Sequence, residues 1–446
     1  MSVVPRIVPR AEHPLSRRDI DPDALKVLYR LRQADHVAYL VGGSVRDLLL
    51  GRRPKDFDIG TSAHPAQVKK LFRNCWIIGR RFRLAHVKFG QKIIEVATFR
   101  RQLAPGEEVV AEGVPAPDPT TAAGRHLIHH DNTFGTPEED AFRRDFTVNA
   151  LAYDISDFSI IDYVGGLDDL AARVVRSIGD PEIRIHEDPV RMLRAVALAA
   201  RLDFTIDPPL FAAIRKHRGE IAKSALPRLI EEYYKILRSG SAEKTFRALH
   251  EVGLLEPLSA ELHHKAGPQL WQSLAELDAY RRTFESTPET LTNPILLGSL
   301  IVPLGLPLRG ERPPLEEPDA KRRKPPALKL GELPLARGDV EGLRQSLMLQ
   351  RRLRDLGAHP RVQRSLVHRG IFREALVWLE IHGQAPEIVE HWRAILAEAG
   401  AERAATAEGE LPSDNIGNVA HPQPPGGERP FGRRRRRRRR RRRPQT

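Results

Sequence analysis

The sequence predicts a mixed α/β domain at the N-terminus, followed by a chain that is almost entirely helical. Before about residue 100, short apolar runs alternate with polar residues at the period of two that strands require. After residue 138, apolar residues recur mostly at helical spacing, and this pattern continues through about residue 300. The 446 residues are enough for two to four domains with a buried core.

The N-terminal elements can be predicted in order along the chain. Residues 1 to about 20 look unstructured, and a first helix is predicted over Asp21–Gln33, where Leu25, Leu28 and Leu31 share one face. The segments predicted next are a strand at His36–Val41, a short helix closed by Gly51, a helix at Pro65–Phe72, and two hairpin strands at Phe82–Phe89 and Ile93–Thr98.

The segment Leu103–Asp131 is rich in Pro, Gly and Thr and has no convincing period. We expect a mobile loop, and loops of this length in a compact domain are often functional. It contains His126, His129 and His130, whose spacing would suit a metal site on a helix. We favour ordinary loop histidines over a metal site and leave their role open.

The rest of the chain divides by composition and periodicity. A helix is predicted to start at Asp188 and Pro189, with proline at its first position. The expected segments are a disordered N-terminus at 1–20, the α/β domain at 21–165, helical regions at 166–240 and 241–302, an exposed Pro-rich linker at 303–338, a further helical region at 339–401, and a disordered basic tail at 402–446.

Composition excludes several classes of protein. The only cysteine, Cys75, excludes an internal disulfide framework and suits a reducing cytoplasm, which is the expected location. The N-terminus has no apolar stretch that predicts a signal peptide. The most apolar segment, Leu296–Leu308, is interrupted by two prolines and is too short for a membrane span. No P-loop pattern is present, so ATP hydrolysis of the common kind is not indicated.

The positive charge is concentrated at the C-terminus. Arg433 to Arg443 form an unbroken run of eleven arginines, and without them the net charge falls from +14 to +3. Such a run repels itself, and its natural partner is a polyanion bound through phosphate contacts. We therefore favour RNA binding by this tail over a solubility tail or a nuclear-type address.

The segment Tyr39–Gly60 is the most informative part of the sequence. Gly42 and Gly43 follow a predicted strand and allow the backbone to approach a ligand closely. Asp56 and Asp58 are two residues apart, so an extended segment directs both carboxylates to one face. Mg²⁺ is the simplest ligand for such a pair, since it binds oxygen atoms and is usually held by carboxylates together with substrate phosphates. A glycine turn beside a metal-binding pair of carboxylates is the arrangement that nucleotidyl transfer uses.

Polymerase-type transfer uses two divalent ions about 3.5–4 Å apart, which usually requires three carboxylates. We favour Glu95 as the third carboxylate, because it lies on an adjacent predicted strand and projects from the same face as the aspartates. The alternative is that Glu95 is an ordinary solvent-facing residue. Asp145 is a second candidate, and whether it contacts a metal is left open.

The order of these motifs, GGSVRDLLLG followed by DFD, resembles the signature of the polymerase-β-like nucleotidyltransferases that build RNA 3′ ends. Their bacterial class II branch contains tRNA CCA-adding enzymes and poly(A) polymerases. The resemblance implies a mixed-sheet palm at 21–165, followed by an all-α neck, body and distal region. It also implies Mg²⁺, or Mn²⁺ in its place, with ATP and RNA 3′ ends as partners and no membrane. Proteins of RNA degradation or RNA chaperones are further candidate partners.

Further site residues follow from the resemblance. The block RRDFTVNAL implies that Asp145 lies near the ribose and that Arg143, Arg144 and Asn149 lie near the triphosphate. In EDPVRMLR, the family motif implies a protein template that reads the base of the incoming nucleotide. The implied nucleotide-binding residues of the first motif and of the template are Gly42, Gly43, Arg46, Asp47, Glu187, Asp188, Arg191 and Arg194.

Within the family, GRRFRLAHV resembles the element that marks the bacterial poly(A) polymerase branch. Its residues Arg80, Arg81 and Arg83, together with the tail Arg433–Arg443, are the expected RNA-binding cations. The sequence therefore favours template-independent AMP addition to RNA 3′ ends. The alternatives are CTP and ATP addition to tRNA, and a non-catalytic RNA-binding relic. The relic is disfavoured because the acidic residues are all present.

Overall fold

The computed structural model describes residues 4–79, 83–101, 133–308 and 329–408. The expected loop with His126, His129 and His130 lies outside the described residues, as do Arg80, Arg81 and the arginine tail. The chain forms a large unit that ends at Arg393 and a second unit that begins at Ala394. The described part of the second unit is helical.

The large unit begins with an eight-stranded mixed sheet, in the strand order β1-β8-β7-β2-β3-β6-β5-β4. Only the pairing of β3 with β6 is parallel among these neighbours. The strands are β1 (Arg6–Val8), β2 (Ala38–Val41), β3 (Asp58–Thr61), β4 (Cys75–Ile78), β5 (Leu84–Phe89), β6 (Lys92–Thr98), β7 (Ala152–Asp154) and β8 (Ile160–Asp162). The predicted palm is therefore confirmed as a mixed α/β sheet, and β4 is an edge strand that the sequence analysis did not predict.

The two faces of the sheet differ in what covers them. One face carries buried apolar residues such as Leu40, Ile59 and Val96, which belong to the main core. That core includes the apolar faces of α1 (Pro22–Gln33) and α3 (Pro65–Leu71). The alternating residues, among them Asp58 and Glu95, project from the opposite face. The candidate site lies on this second face.

The expectation of a disordered N-terminus is wrong for the described residues from 4 onward. Arg6–Val8 pairs antiparallel with β8 at the sheet edge. Leu15 and Ile20 are buried in the main core, and Ser16 accepts a hydrogen bond from the Arg18 amide at a short 3-10 turn. Two widely spaced apolar residues anchor this Arg- and Pro-rich segment, which a search for periodicity does not detect.

The chain after the sheet is helical, as predicted. The helices are α2 (Gly43–Leu49), α4 (Pro137–Phe142), α5 (Gly166–Ala172), α6 (Pro181–Glu187), α7 (Val190–Leu202), α8 (Pro208–His217), α9 (Leu226–Leu237), α10 (Ala242–Glu251), α11 (Ala260–Lys265), α12 (Pro268–Arg282), α13 (Asn293–Ile301), α14 (Arg337–Leu353), α15 (Pro360–Val367), α16 (Phe372–His382) and α17 (Pro386–Glu408). Two short strands, β9 (Val174–Val175) and β10 (Thr205–Ile206), pair in parallel beside them. In the part of the chain described, no helix has the length and apolar character of a membrane span.

Two predicted boundaries need correction. Residues 329–335 of the expected exposed linker fold back on the body as a hairpin of β11 (Lys329–Leu330) and β12 (Leu333–Pro334), with Leu330 and Leu333 fully buried. Gly331 takes a φ of +60° at the turn, where a Cβ would lie 2.3 Å from the Leu258 carbonyl oxygen. The last helix also continues to Glu408, beyond the expected start of the tail at residue 402.

Candidate active site

A glycine turn joins β2 to α2 at the edge of the site. Gly42 has a φ of +75°, and a Cβ there would lie 2.9 Å from Nη1 of Arg144. Only glycine fits this conformation and this close approach without strain. The turn exposes the first amides of α2 next to the strand that carries Asp58, because Val41 at the end of β2 pairs with Asp58.

The sheet register places two of the predicted carboxylates side by side. Ile59 of β3 pairs in parallel with Val96 of β6, so the preceding residues, Asp58 and Glu95, lie at the same level on neighbouring strands and on the same face. Asp56 precedes β3 in an exposed turn, where Lys55 lies 3.8 Å from its carboxylate. The prediction that Glu95 neighbours the aspartate pair agrees with this geometry, and its role as a ligand stays a prediction.

The Asp58 carboxyl is the most perturbed acid of the site. The side chain of Asp58 is accessible to solvent, but the packing around it removes part of the hydration of its carboxyl. This desolvation, followed by the negative charges of Glu95 and Asp56, raises its pKa to about 6, against a smaller opposing effect of Arg144. The carboxylates therefore repel one another in the protein alone. A divalent cation would relieve this repulsion, and the all-oxygen donor set is the kind that Mg²⁺ prefers.

The described residues contain no group of three or more His, Cys, Asp or Glu side chains arranged to hold a metal ion. A cation at Asp56 and Asp58 would thus complete its coordination with water or with substrate oxygens. Such sharing with phosphates is the usual behaviour of Mg²⁺ in proteins.

Arg46 is buried against the glycine turn, where a Cβ at Gly43 would lie 3.2 Å from its Nη2, and its contact with a nucleotide stays a prediction. Its side chain is only 3% exposed and bonds Asp47 through Nε at 2.8 Å. It also donates through Nη1 to the side-chain oxygen of Asn149. The structure therefore shows Arg46 bracing Asp47 and Asn149 beneath the glycine turn.

Arg143 and Arg144 lie next to the glycine turn, held by a carboxylate that the sequence analysis missed. Asp140 of α4 accepts from Nε of Arg143 and from Nη2 of Arg144, both at 3.0 Å. Burial opposes ionisation of Asp140, but the two arginines hold its pKa below the usual value. Arg144 also donates to the Asn149 carbonyl at 3.1 Å. The spacing of Asp140 from the two arginines, three and four residues on a helix, was the available signal.

Asp145 is buried and fully engaged by partners from two parts of the chain. Its carboxylate accepts from the Phe146 amide at 2.9 Å and from Asn149 Nδ2 at 3.3 Å, and it pairs with Nη2 of Arg194 at 2.8 Å. Burial would raise its pKa, but Arg194 and these hydrogen bonds hold it below the usual value. Asp145 and Arg194, predicted as separate site residues, thus form one ion pair between the palm and α7.

The predicted base template lies where α6 meets α7. Glu187 accepts from Nη1 of Arg191 at 3.1 Å and from Nη1 of Arg184 at 2.9 Å. Asp188 is held by both terminal nitrogens of Arg228 on α9, at 3.1 and 2.8 Å. Glu187, Asp188 and Arg191 are therefore brought together, but each is already bound by an arginine or a carboxylate of the chain.

Arg184 and Arg228 are the residues of this region that the sequence analysis missed. Arg184 is buried, and its Nη2 donates to the carbonyl oxygens of Arg143 and Arg144 at 2.8 and 2.6 Å. It therefore links the backbone beneath the phosphate-facing arginines to the base template. Neither residue lies in a recognisable motif, so only the folded chain reveals the connection.

Of the predicted RNA-binding arginines, only Arg83 lies among the described residues. It is exposed, just before β5, with a φ of +40°. The pairing of β5 with β6 leads from this position to Glu95. Arg83 thus lies immediately before β5, whose first residue Leu84 pairs with Ile78 of the edge strand β4.

Comparison with known proteins agrees with this fold. Residues 38–176 match the family model of the poly A polymerase head domain, and residues 203–265 match one described as the probable RNA and SrmB-binding site of polymerase A. Over 253 residues the chain is 51% identical to poly(A) polymerase I of Salmonella typhi, covering 56% of this chain and 53% of that protein. Over 233 residues it is 36% identical to a CCA-adding enzyme of Lactobacillus johnsonii, covering 52% of this chain and 54% of that enzyme.

Among solved structures, the CCA-adding enzyme of Bacillus stearothermophilus in complex with CTP is similar over 85% of this chain and 83% of that chain, with 28% identity and a TM-score of 0.55. The sheet and the helices that follow it are thus similar to those of poly(A) polymerases and CCA-adding enzymes. The identity to the bacterial poly(A) polymerase I of Salmonella typhi, at 51%, is higher than that to the CCA-adding enzyme of Lactobacillus johnsonii, at 36%. The aligned part spans about half the length of the curated relatives it matches.

Proposed function

We propose that this protein is a template-independent poly(A) polymerase that transfers AMP from ATP to RNA 3′ ends by two-metal catalysis. The observation that carries the proposal is the placement of Asp58 and Glu95 at the same level on neighbouring strands, beside the Gly42 turn. The 253 residues that match poly(A) polymerase I relatives are about half identical to them. In the reaction, the RNA 3′ oxygen forms a bond to the α-phosphorus of ATP. The bond to the β-phosphate bridging oxygen breaks, pyrophosphate leaves, and the 3′-hydroxyl proton passes to solvent.

Each part of the site has a role in this reaction. Asp56 and Asp58, with Glu95 as the favoured third carboxylate, would hold divalent ions that lower the pKa of the 3′-hydroxyl and neutralise the triphosphate. The Gly42 amide donates to the Leu151 carbonyl, so the amide of Gly43 is the one that the turn would offer to the phosphates. Arg143 and Arg144 lie close enough to the turn to add positive charge, which stabilises a transferring phosphoryl group.

The base of ATP would be selected at the neck. Glu187, Asp188 and Arg191 form a fixed set of donors and acceptors that is held in place by Arg184 and Arg228. A site built to hydrogen-bond one base rejects others because its polar groups would be left unpaired. Reading the base therefore requires part of this network to exchange partners with the nucleotide.

CTP and ATP addition to tRNA is the second candidate, favoured by the similarity to CCA-adding enzymes. The discriminating experiment offers each nucleoside triphosphate singly to full-length protein with two RNAs, a tRNA that lacks CCA and an unrelated RNA. Long adenylate tails on both RNAs, from ATP alone, are the expected result. Addition of CCA to the tRNA followed by termination would contradict the proposal and assign the second function.

The arginine tail is proposed to bind RNA independently of the active site. Deletion of Arg433–Thr446 should raise the KM for RNA and reduce the dependence of RNA affinity on salt, because fewer counterions are released on binding. The KM for ATP should stay the same. The measurement is RNA affinity across a salt series for the full chain and the truncated chain, and equal slopes would contradict RNA binding by the tail.

A further inference from the structure

The sheet register extends the candidate site beyond the carboxylates toward the edge of the palm. Glu95 pairs directly with His86 of β5, and His86 pairs directly with Trp76 of β4. Residues that are directly opposite in antiparallel strands project from the same face. Asp58, Glu95, His86 and Trp76 therefore form one row of side chains across four strands, on the face opposite the main core.

The outer part of this row is apolar and accessible. The side chain of Trp76 is 38% exposed, and Ile78 and Ile93 on the same face are each 43% exposed. Cys75, the neighbour of Trp76 on the strand, points to the core and is buried. On the opposite face of this edge strand Cys75 is buried, whereas Ile77 is 38% exposed, so the strand is accessible on both faces toward its end. We call Trp76, Ile78, His86 and Ile93 the edge platform.

His86 joins the edge platform to the carboxylates. Its Nε2 lies 3.5 Å from Oε1 of Glu95. His86 thus lies between Glu95 on one neighbouring strand and Trp76 on the other. Lys88 adds a positive charge beside the edge platform, because it is exposed on the same face and pairs with Ile93.

We propose that the edge platform binds the 3′-terminal base of the RNA that is extended, with Trp76 as its stacking surface. Neighbouring strands are about 4.8 Å apart, so Trp76 lies roughly 10 Å from Glu95. This is about the distance from the ribose hydroxyl of a nucleotide to the far edge of its base. A terminal nucleotide would place its 3′ oxygen at the carboxylates and its base over His86 and Trp76.

Single-stranded RNA is the occupant that fits the chemistry. Bases stack on aromatic rings without regard to sequence, and cations beside the ring contact the backbone phosphates. Lys88 and Arg83 supply such cations on the described part of this sheet edge. The inference rests on the proposed function, since it requires the RNA end to lie at Asp58 and Glu95.

The test uses the full-length protein and a short oligoadenylate RNA whose 3′-terminal base is 2-aminopurine, a fluorescent base that is quenched by stacking. Without divalent metal, the wild type should quench this probe on binding. Trp76→Ala should lose the quenching and bind RNA about tenfold more weakly, which is within the range that a base stacked on an aromatic ring contributes. Trp76→Phe keeps a ring and should retain most of both effects.

Two controls separate stacking from general damage. Phe284→Ala removes an aromatic residue of the helical body that is equally accessible, at 39% exposed, and should change neither signal. A second probe with 2-aminopurine at the 5′ end should respond alike in wild type and Trp76→Ala. Equal quenching of the 3′ probe by wild type and Trp76→Ala would overturn the edge platform. Failure of the wild type to extend any RNA would instead overturn the proposed function.

Turnover measurements give an independent readout. Trp76→Ala should raise the KM for RNA about tenfold and leave the KM for ATP unchanged, because the incoming nucleotide binds at the glycine turn and the neck. Equal increases in both KM values would contradict an RNA subsite.

Discussion

Asp58 and Asp145 are two aspartates of one site that are held in opposite ways. Asp58 lies beside Glu95 and near Asp56, and desolvation with these like charges raises its pKa to about 6. Asp145 is more deeply buried, yet Arg194, Asn149 and the Phe146 amide hold its pKa below the usual value. The protein completes the environment of Asp145 by itself and leaves that of Asp58 to be completed by a cation. We infer that Asp58 serves chemistry and that Asp145 also serves architecture.

The largest effect that tests this comparison is loss of activity at Asp58. Asp58→Asn keeps the shape of the side chain but removes a charge that would hold a metal at the transferring phosphate. Loss of one electrostatic stabiliser of a transition state costs about 10²- to 10³-fold in kcat, and loss of a metal ligand at least as much. The measurement is AMP incorporation into RNA with Mg²⁺.

Asp19→Asn, an exposed aspartate of the N-terminal segment, is the matched control and should retain full activity. Near-normal turnover of Asp58→Asn would show that the active site does not lie at this strand.

The next effect is a loss of stability at Asp145. Asp145→Asn leaves Arg194 without its carboxylate and breaks the link between the palm and α7. Breaking a buried ion pair by removing one partner costs about 3–5 kcal/mol, and the partial exposure of Arg194 reduces this to about 2–3 kcal/mol. Urea unfolding at pH 7 should show the change as a lower midpoint.

This stabilising contribution has a definite pH dependence. Because the folded pKa of Asp145 is lowered, the contribution is present above its usual value of 3.8 and is lost as the pH falls through the folded pKa. The difference between wild type and Asp145→Asn should therefore shrink in acid. A constant difference from pH 7 to pH 3 would contradict the ion pair as its cause.

An intermediate effect is expected at the neck. Arg228→Ala removes both donors to Asp188 and frees this carboxylate, while the pairing of Glu187 with Arg191 remains. We expect discrimination between ATP and CTP to fall about 10- to 100-fold, since a misplaced acceptor no longer penalises the wrong base. The measurement is kcat/KM for each nucleotide. Lys235→Ala, at an exposed ion pair on the same helix, is the control.

The sequence predicted the palm better than it predicted the connections within the site. Alternation and turn residues located β5, β6 and the glycine turn, because these depend on local chemistry. The ion pair of Asp140 with Arg144 looks in the sequence like an ordinary surface pair on a helix. The hydrogen bonds of Arg184 and Arg228 join residues that are close only after folding. Arg46 is instructive because its motif implied a nucleotide contact and did not indicate that its side chain is buried against Asp47 and Asn149.

The linker shows the same limit for the fold. Its proline and charge content predicted an exposed chain, but Leu330 and Leu333 are buried against the body. Two apolar residues in a charged segment give no periodic signal, and only the presence of a complementary surface near Leu258 decides their burial.

The smallest effect is also the most specific to Asp58. Its folded pKa of about 6 lies above the usual 3.8, so its ionisation destabilises the folded state as the pH rises through this interval. In chelator at pH 8, Asp58→Asn should therefore be more stable than wild type. The gain should reach at most about 1 kcal/mol, because the side chain is accessible and solvent screens the repulsion. Below about pH 3, which is under the usual pKa of 3.8, Asp58 is protonated in both states and the gain should vanish. Saturating Mg²⁺ should make wild type more stable than Asp58→Asn at pH 8, since the cation stabilises only the protein that binds it.

The measurement is the urea midpoint of wild type and Asp58→Asn under these three conditions. If Asp58→Asn is less stable than wild type in chelator at pH 8, the protein itself stabilises the charged Asp58, as it does Asp145.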